Sequence, residues 1–357
     1  MAIPLFASSL APHEDAIAEK LREVARSGRY ILGPEVQSFE AEFAAWLGAE
    51  HCVGVGNGTD ALQIALRAAG VGPGDDVVMP SLTFYATAEA AANLGARPVF
   101  CDVDPATFCV TRDTVERALT SRTRAIVPVH LFGNVAPVAA VRELGHPVIE
   151  DAAQAAGSTW NGTRAGTLGD AATFSFFPSK NFPCLGDGGA VVTDDEELGA
   201  TARRLRFHGS VDKQTHTEIG WNSRLDALQA GVMRVLLPEL EGWSEARRRA
   251  GDLYEQAGLG ELVELPATTP GSDPAWHLYV VRHERADELV AGLNEAGVEA
   301  RAYYRVPVHR QPAMREFGDV DLRGTEEAAR TNFAIPMGTG LQEDQVDQVV
   351  HTLKRLC

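Results

Sequence analysis

Lys180 ends an aromatic run, Ser175-Phe176-Phe177-Pro178-Ser179-Lys180-Asn181. The other lysines, Lys20, Lys213 and Lys354, sit among polar and charged residues, where an ammonium stays hydrated and unreactive. Lys180 instead follows Ala171-Ala172-Thr173-Phe174-Ser175-Phe176, which reads as a buried strand. Desolvation disfavours the charged form of a lysine, lowers its pKa and frees the amine to act as a nucleophile. Schiff-base chemistry needs such an amine. A lysine snorkelling from a strand end gives the same local pattern, so the other segments must decide.

Four of them carry chemistry. Gly54-Val55-Gly56-Asn57-Gly58-Thr59-Asp60 joins a strand to a helix, where bare backbone amides and a helix N-terminus favour an anion. Thr59 or Asp60 can cap that helix. The third glycine of a dinucleotide fingerprint is absent, because Thr59 stands there. In Val148-Ile149-Glu150-Asp151-Ala152-Ala153-Gln154-Ala155, an acidic residue ends a strand at the edge where open α/β sheets bind ligands. Asp151 is the one expected to face the pocket and Glu150 the structural one; capping of the next helix is the alternative. Gly220-Trp221-Asn222-Ser223-Arg224-Leu225-Asp226, at the head of a long helix, offers an amide and a guanidinium to a second anion, or simply a cap. Pro80-Ser81-Leu82-Thr83-Phe84-Tyr85-Ala86-Thr87 offers two aromatics to stack on a planar ring or to pack in the core. A phosphate cup, a carboxylate for a ring nitrogen, an aromatic platform and a Schiff-base lysine together describe pyridoxal phosphate (PLP). No metal-ligating cluster is expected.

The elements that must position these residues alternate. Helical periodicity covers 13–27 and 35–47, and then 59–69, 81–93, 223–256 (kinked at Pro238), 285–296 and 342–356. Apolar strands are expected at 52–55, 76–79, 97–101, 125–129, 147–150, 171–176, 189–193 and 276–281. Strands separated by helices imply an α/β protein with a mostly parallel sheet covered on both faces. A change of pattern near Glu239 divides the chain into 1–238, a large ligand-binding domain, and 239–357, a smaller C-terminal α/β domain.

The charge balance, 32 basic against 49 acidic residues, is −17, which disfavours nucleic acid and anionic membranes as partners. Five cysteines without a C-x-x-C pair argue against a disulfide framework and a zinc site. The N-terminus has no basic, apolar leader and no stretch is long enough to span a bilayer, so a cytoplasmic location is expected.

These motifs resemble the DegT/DnrJ/StrS sugar aminotransferases among the fold type I PLP enzymes. Gly58-Thr59-Asp60-Ala61-Leu62, Pro80-Ser81-Leu82-Thr83-Phe84 and Val129-His130-Leu131-Phe132-Gly133 carry the likeness. It continues through Glu150-Asp151-Ala152-Ala153-Gln154, the Lys180 run, Gly186-Asp187-Gly188-Gly189-Ala190, Asn222-Ser223-Arg224-Leu225-Asp226 and Pro307-Val308-His309-Arg310-Gln311-Pro312. The resemblance implies a seven-stranded-type sheet in the large domain. It implies that Lys180 forms the Schiff base, Asp151 pairs with the pyridine nitrogen, Gln154 bonds the ring hydroxyl and Phe84 stacks on the ring. Gly58, Thr59, Asp60 and Ser175 would hold the phosphate, and Asn222 would reach the phosphate of the partner subunit in a homodimer. The implied reaction is ping-pong transfer of an amino group from L-glutamate, or glutamine, to a keto-sugar of a nucleoside diphosphate. The patterns around Asn222 and His309 look more like members that aminate C-3 than C-4, of a 3-keto-6-deoxyhexose. Tyr303, Tyr304, His309 and Arg224 are candidates for the sugar site, with packing the alternative for each. Phe182-Pro183-Cys184-Leu185 departs from the usual loop after the lysine, which bears on the acceptor sugar. Members with histidine at the lysine position dehydrate sugars instead. A non-catalytic PLP-binding regulatory protein is the alternative of another class, and a cofactor-free lysine aldolase leaves the glycine cup and Asp151 without a role.

Overall fold

A computed structural model of the chain describes residues 2–357. Its central sheet uses β1 (His51–Val55), β2 (Asp76–Pro80), β3 (Arg97–Cys101), β4 (Thr123–Ile126), β5 (Ile149–Asp151), β6 (Ala171–Ser175) and β7 (Gly189–Thr193). Ladders give two runs, β3-β2-β4 and β5-β6-β7-β1. Parallel bridges from Ile126 to Val148 and from Val129 to Asp151 join them into one seven-stranded sheet. Only β7 runs against its neighbours, so the carboxyl ends of the other six strands share one edge.

Both faces are covered, and the period of two shows in β6 and β7. Ala172, Phe174, Ala190 and Val192 share a cluster with α1 (Glu14–Ser27), α2 (Pro34–Leu47) and the helix Ala227–Leu236. Ala171 and Val191 pack on the other side with α3 (Gly58–Ala68) and α4 (Ala86–Asn93). Strands buried on both faces read as near-continuous apolar runs, as in Val77–Pro80 of β2 and Gly189–Val192 of β7, while the buried Asp76 at the head of β2 is paired with Arg97. A second sheet pairs β8 (Tyr279–Arg282) with β9 (Asn332–Ile335) in antiparallel fashion. Its core draws on the helices Leu240–Gln256, Ala286–Glu295 and Glu343–Leu356, and also on Ile3 and Ala7 from the opposite end of the chain.

Three expectations shift. The helix expected from Ser81 begins at Ala86, because the Ser81 hydroxyl is engaged by His309 through both its backbone N–H and its ring. The helix expected from Ser223 begins at Ala227, capped by the Asp226 carboxylate, which accepts from the Gln229 N–H at 2.7 Å; neither Asn222 nor Ser223 is its cap. A 3₁₀ turn at Leu237–Glu239 then separates it from the next helix, as the proline requires. The strand expected from Trp276 begins at Tyr279, since the His277 N–H is bonded out of register to the Phe132 carbonyl at 2.8 Å.

One buried ion pair holds the carboxyl half of β1. Glu40 of α2 accepts from the Gly54 N–H at 2.8 Å and pairs with Arg206. Arg206 also donates to the Gly54 carbonyl at 2.7 Å. Removing one member leaves the other charge buried and uncompensated. Glu40→Ala is expected to lower unfolding free energy by about 3–5 kcal/mol in urea titration; a loss under about 1 kcal/mol would mean that the Gly54 carbonyl alone satisfies Arg206.

Candidate active site

The shared edge of the six co-directional strands gathers segments that lie far apart in sequence. β1 delivers Gly58, β2 delivers Phe84 and Thr87, β5 delivers Asp151 and Gln154, and β6 delivers Ser175 and the Lys180 loop.

The loop 177–183 is clamped at both ends. Phe176 and Phe182 are fully buried and pack edge-on to each other at 5.5 Å. Phe176 meets Phe39 at 5.6 Å, and Phe182 stacks on Phe43 at 5.5 Å, both partners lying on α2. The Cys184 N–H closes the loop onto the Phe176 carbonyl at 2.7 Å. Inside it, Asn181 Nδ2 donates to the Ala275 carbonyl at 2.7 Å and the Ala156 carbonyl at 3.3 Å. The clamp leaves Lys180 half-buried. Enough protein surrounds its amine that desolvation lowers the pKa to about 8, with the Asp151 charge pulling the other way. Among the described residues Lys180 has no ion-pair partner within 4 Å.

Asp151 is 5% exposed. Its carboxylate accepts from the Thr87 hydroxyl at 2.9 Å and the Ala153 N–H at 3.2 Å. Since Thr87 donates there, Thr83 donates to Thr87 at 3.0 Å and extends the chain of hydrogen bonds. Burial raises the Asp151 pKa, and Thr87, Ala153 and Lys180 offset only part of that. The adjacent Glu150 faces the other way. It accepts from His130 Nε2 at 2.7 Å and from the N–H groups of Gly166, Leu168 and Gly169. Burial would raise its pKa too, but the His130 bond and field and the backbone donors outweigh it and lower the value. The Ala136 N–H donates to His130 Nδ1 at 3.0 Å, which fixes the proton on Nε2. Glu150 is thus structural, as expected, and Asp151 has room for one more donor.

The glycine cup has a different cap from the one expected. Asn57, not Thr59 or Asp60, caps α3, accepting from the Asp60 N–H at 2.8 Å. The first helical bond runs from Ala61 to Asn57, so the N–H groups of Gly58 and Thr59 precede the helical ladder and have no acceptor in it. A Cβ on Gly58 would lie 2.7 Å from Ser175 Cβ, so only glycine lets β6 approach the cup. Gln154 Oε1 accepts from the Phe132 N–H at 2.8 Å, which turns Nε2 toward the Tyr304 hydroxyl at 3.2 Å. Phe84 is 57% exposed with Tyr304 at 6.2 Å, a free aromatic face beside the site.

The remaining candidates stand apart from this set. Tyr303 packs edge-on against Tyr304 and its N–H binds Asn332. His309 is 2% exposed and its ring meets Ser81 at 2.6 Å and Glu326 at 3.6 Å, so it braces a loop. Arg224 lies over the Phe207 ring at 5.5 Å. Asn222 is exposed, its backbone bridged to Phe207. Sequence reasoning missed Thr87, His130 and Asn57. Their motifs were visible, yet their roles depend on partners 20 to 64 residues away, or on which of four neighbours caps α3.

PLP fits this arrangement. A buried carboxylate with a raised pKa and two hydrogen bonds is completed by a cationic ring N–H, and the bare amides of the cup suit a phosphate. Residues 12–354 match the DegT/DnrJ/EryC1/StrS aminotransferase family. The chain belongs to that family. It is 44% identical over 346 residues to the pleiotropic regulatory protein of Geobacillus stearothermophilus, covering 94% of this chain and 93% of that one. It is 45% identical over 359 residues to the dTDP-3-amino-3,4,6-trideoxy-alpha-D-glucose transaminase of Streptomyces venezuelae, covering 96% and 93%. The crystal structure of S. venezuelae DesV in complex with a ketimine intermediate superposes with a TM-score of 0.96 at 41% identity, over 99% of this chain and 98% of that one. The fold is that of the type I PLP enzymes, and this family member is a PLP-dependent aminotransferase.

Two outcomes follow from the geometry. Below its pKa the Lys180 amine is protonated and inert, so the rate at which cofactor-free protein captures PLP should rise with pH around a midpoint near 8. Absorbance stopped-flow reads this, and a midpoint near that of free lysine would contradict the desolvated site. Gly58→Ala should force the cup open at an overpacking cost of about 1–3 kcal/mol, weakening PLP binding roughly tenfold to hundredfold in fluorescence titration.

Proposed function

We propose that this protein transfers an amino group from L-glutamate, or L-glutamine, to C-3 of a keto-6-deoxyhexose carried on a nucleoside diphosphate. It is a nucleotide-sugar aminotransferase, as its relatives' names indicate. The observation that carries the catalytic part is the pairing of a desolvated Lys180 amine with a buried, incompletely satisfied Asp151. Support for C-3 comes from the S. venezuelae transaminase, whose name specifies a 3-amino sugar.

When bound, PLP supplies an electron sink for the carbon that loses its proton. Lys180 Nζ would hold the group covalently and, when free, would take the proton from the donor's α carbon and return it to the cofactor carbon, as a general base and then acid of suitable pKa. Asp151 keeps a proton on the ring nitrogen, and the Thr83–Thr87 chain holds the carboxylate in place. Gln154 orients the ring hydroxyl and Phe84 covers one ring face. The N–H groups of Gly58 and Thr59, with Asp60 and Ser175, hold the phosphate. Asn222, exposed in the single chain, reaches the cofactor phosphate of a second subunit in a homodimer. Tyr304, beside Gln154, is the sugar-site candidate with the strongest support; His309 serves as a brace.

A second reading, a PLP-binding regulator without turnover, draws on the name of the G. stearothermophilus relative. Spectra separate the two. L-Glutamate should convert the yellow PLP form to the pyridoxamine form in wild type. Lys180→Ala should slow that conversion by a factor of about 10²–10⁴, and Asp151→Asn should slow it with the colour retained. A 3-keto nucleotide sugar should restore the yellow form faster than a 4-keto one. The reverse preference would overturn the C-3 assignment, and no conversion at all would favour the regulator.

A further inference from the structure

A cavity of about 90 Å³ opens beside the Lys180 loop, walled by Phe6, Ser8, Ser179, Lys180, Trp243 and Arg247 among others. Arg247, on the long helix Leu240–Gln256, is 3% exposed. Among the described residues it has no carboxylate within 4 Å. Its guanidinium donates to the Trp276 carbonyl at 3.0 Å, marginally to the His277 carbonyl at 3.5 Å, and to Ser8 Oγ at 3.2 Å. Its Nε has no partner. Burial without a counter-charge lowers its pKa to about 10, a marked departure for a guanidinium.

Buried charges are normally paired, and buried polar atoms normally bonded. Here Arg247 Nε, His277 Nδ1 and Asn181 Oδ1 are all buried and unpartnered. Arg247 and Asn181 line the cavity together with Lys180, and the His277 carbonyl lies 3.5 Å from the Arg247 guanidinium. The guanidinium without a counter-charge calls for an anion that arrives with a substrate. In a chain of net charge −17, an anionic substrate needs a local positive group of this kind.

We infer that Arg247 anchors a carboxylate of the amino-acid donor, in the cavity next to Lys180. Resting on the transaminase reading above, this names the residue that recognises the donor. Size admits the ligand. One water needs only about 10–15 Å³ of cavity volume, so a cavity of about 90 Å³ takes a carboxylate and its short stem. A zwitterion also suits the two other kinds of atom present, with Asn181 Oδ1 accepting from an incoming ammonium. The 2-oxo acid product leaves from the same place, because it keeps the same carboxylate.

Glutarate, a dicarboxylate with no amine to transfer, tests this by calorimetry on the PLP-loaded protein. It should bind wild type, while its dimethyl ester should not. Arg247→Gln should weaken glutarate at least tenfold with PLP absorbance unchanged, and Arg247→Lys should fall between. Arg247 also ties the helix to the segment before β8, so Thr339→Asp, which leaves those bonds in place, supplies the independent variant. Thr339 lines the cavity from a partly exposed loop, and a carboxylate there should occupy the guanidinium and expel glutarate equally well. In single-turnover kinetics both changes should raise the saturating concentration of L-glutamate and leave that of the keto-sugar unmoved. Absence of glutarate binding to wild type, or unaltered binding in Thr339→Asp, overturns the proposal. So does a shift confined to the sugar half-reaction, which would assign the carboxylate to an acidic sugar. Glutarate binding that depends on Arg247, in a protein that aminates no keto-sugar, would sink the acceptor assignment and leave this one standing.

Discussion

Desolvation of a single amine organises this molecule. An ammonium on an exposed loop is hydrated and chemically inert, so the chain has to hold a short polar loop against dry surroundings. It does so with aromatic area: Phe176 and Phe182 are driven into the cluster of Phe39 and Phe43 and fix both ends of the loop. Side chains of this size bury large apolar areas, which opposes the entropy of ordering the loop. The cost falls on Lys180, whose charged form is destabilised. That cost is the source of its reactivity.

The sheet edge supplies the complementary charge, and β5 shows how a strand separates structure from chemistry. Successive side chains point to opposite faces, so Glu150 and Asp151 enter different environments. Glu150 meets His130 and three backbone N–H groups and is held ionised as a tie between the strand and the turn at 166–169. Asp151 meets a threonine chain and one N–H group and stays short of donors. The incompletely satisfied carboxylate is the one suited to a cationic ligand. Two acidic residues of nearly equal intrinsic pKa thus differ through what surrounds them.

The site is not the property of the large sheet alone. Tyr304 meets Gln154, the Ala275 carbonyl holds Asn181, and Arg247 approaches the Lys180 loop from the long helix. The N-terminal segment joins them, with Ser8 on Arg247 and Ile3 in the core of the second sheet. Any relative movement of the two sheets would therefore change the walls around the amine while leaving the phosphate cup, built on β1 and β6, intact.

Much of this was legible in the residues. Apolar strands alternating with helices determined a mostly parallel α/β sheet, because strands buried on both faces cannot hide their pattern. The aromatic run before Lys180 and the acidic end of β5 marked the candidate reactive groups, and it was their combination with the other motifs that weighed against a snorkelling lysine and a helix cap. Local composition could not choose among neighbouring candidates of similar chemistry. It left Thr59 and Asp60 as caps where Asn57 serves, and it began helices at Ser81 and Ser223, whose hydroxyls are taken by His309 and by the Gly56 N–H. Nor could it identify Arg247, one arginine among many, as a buried cation without a partner. The Asn57 cap is a local choice made by a bond three residues on, whereas the Ser81, Ser223 and Arg247 outcomes depend on partners more than a hundred positions away, and only the folded chain brings those together.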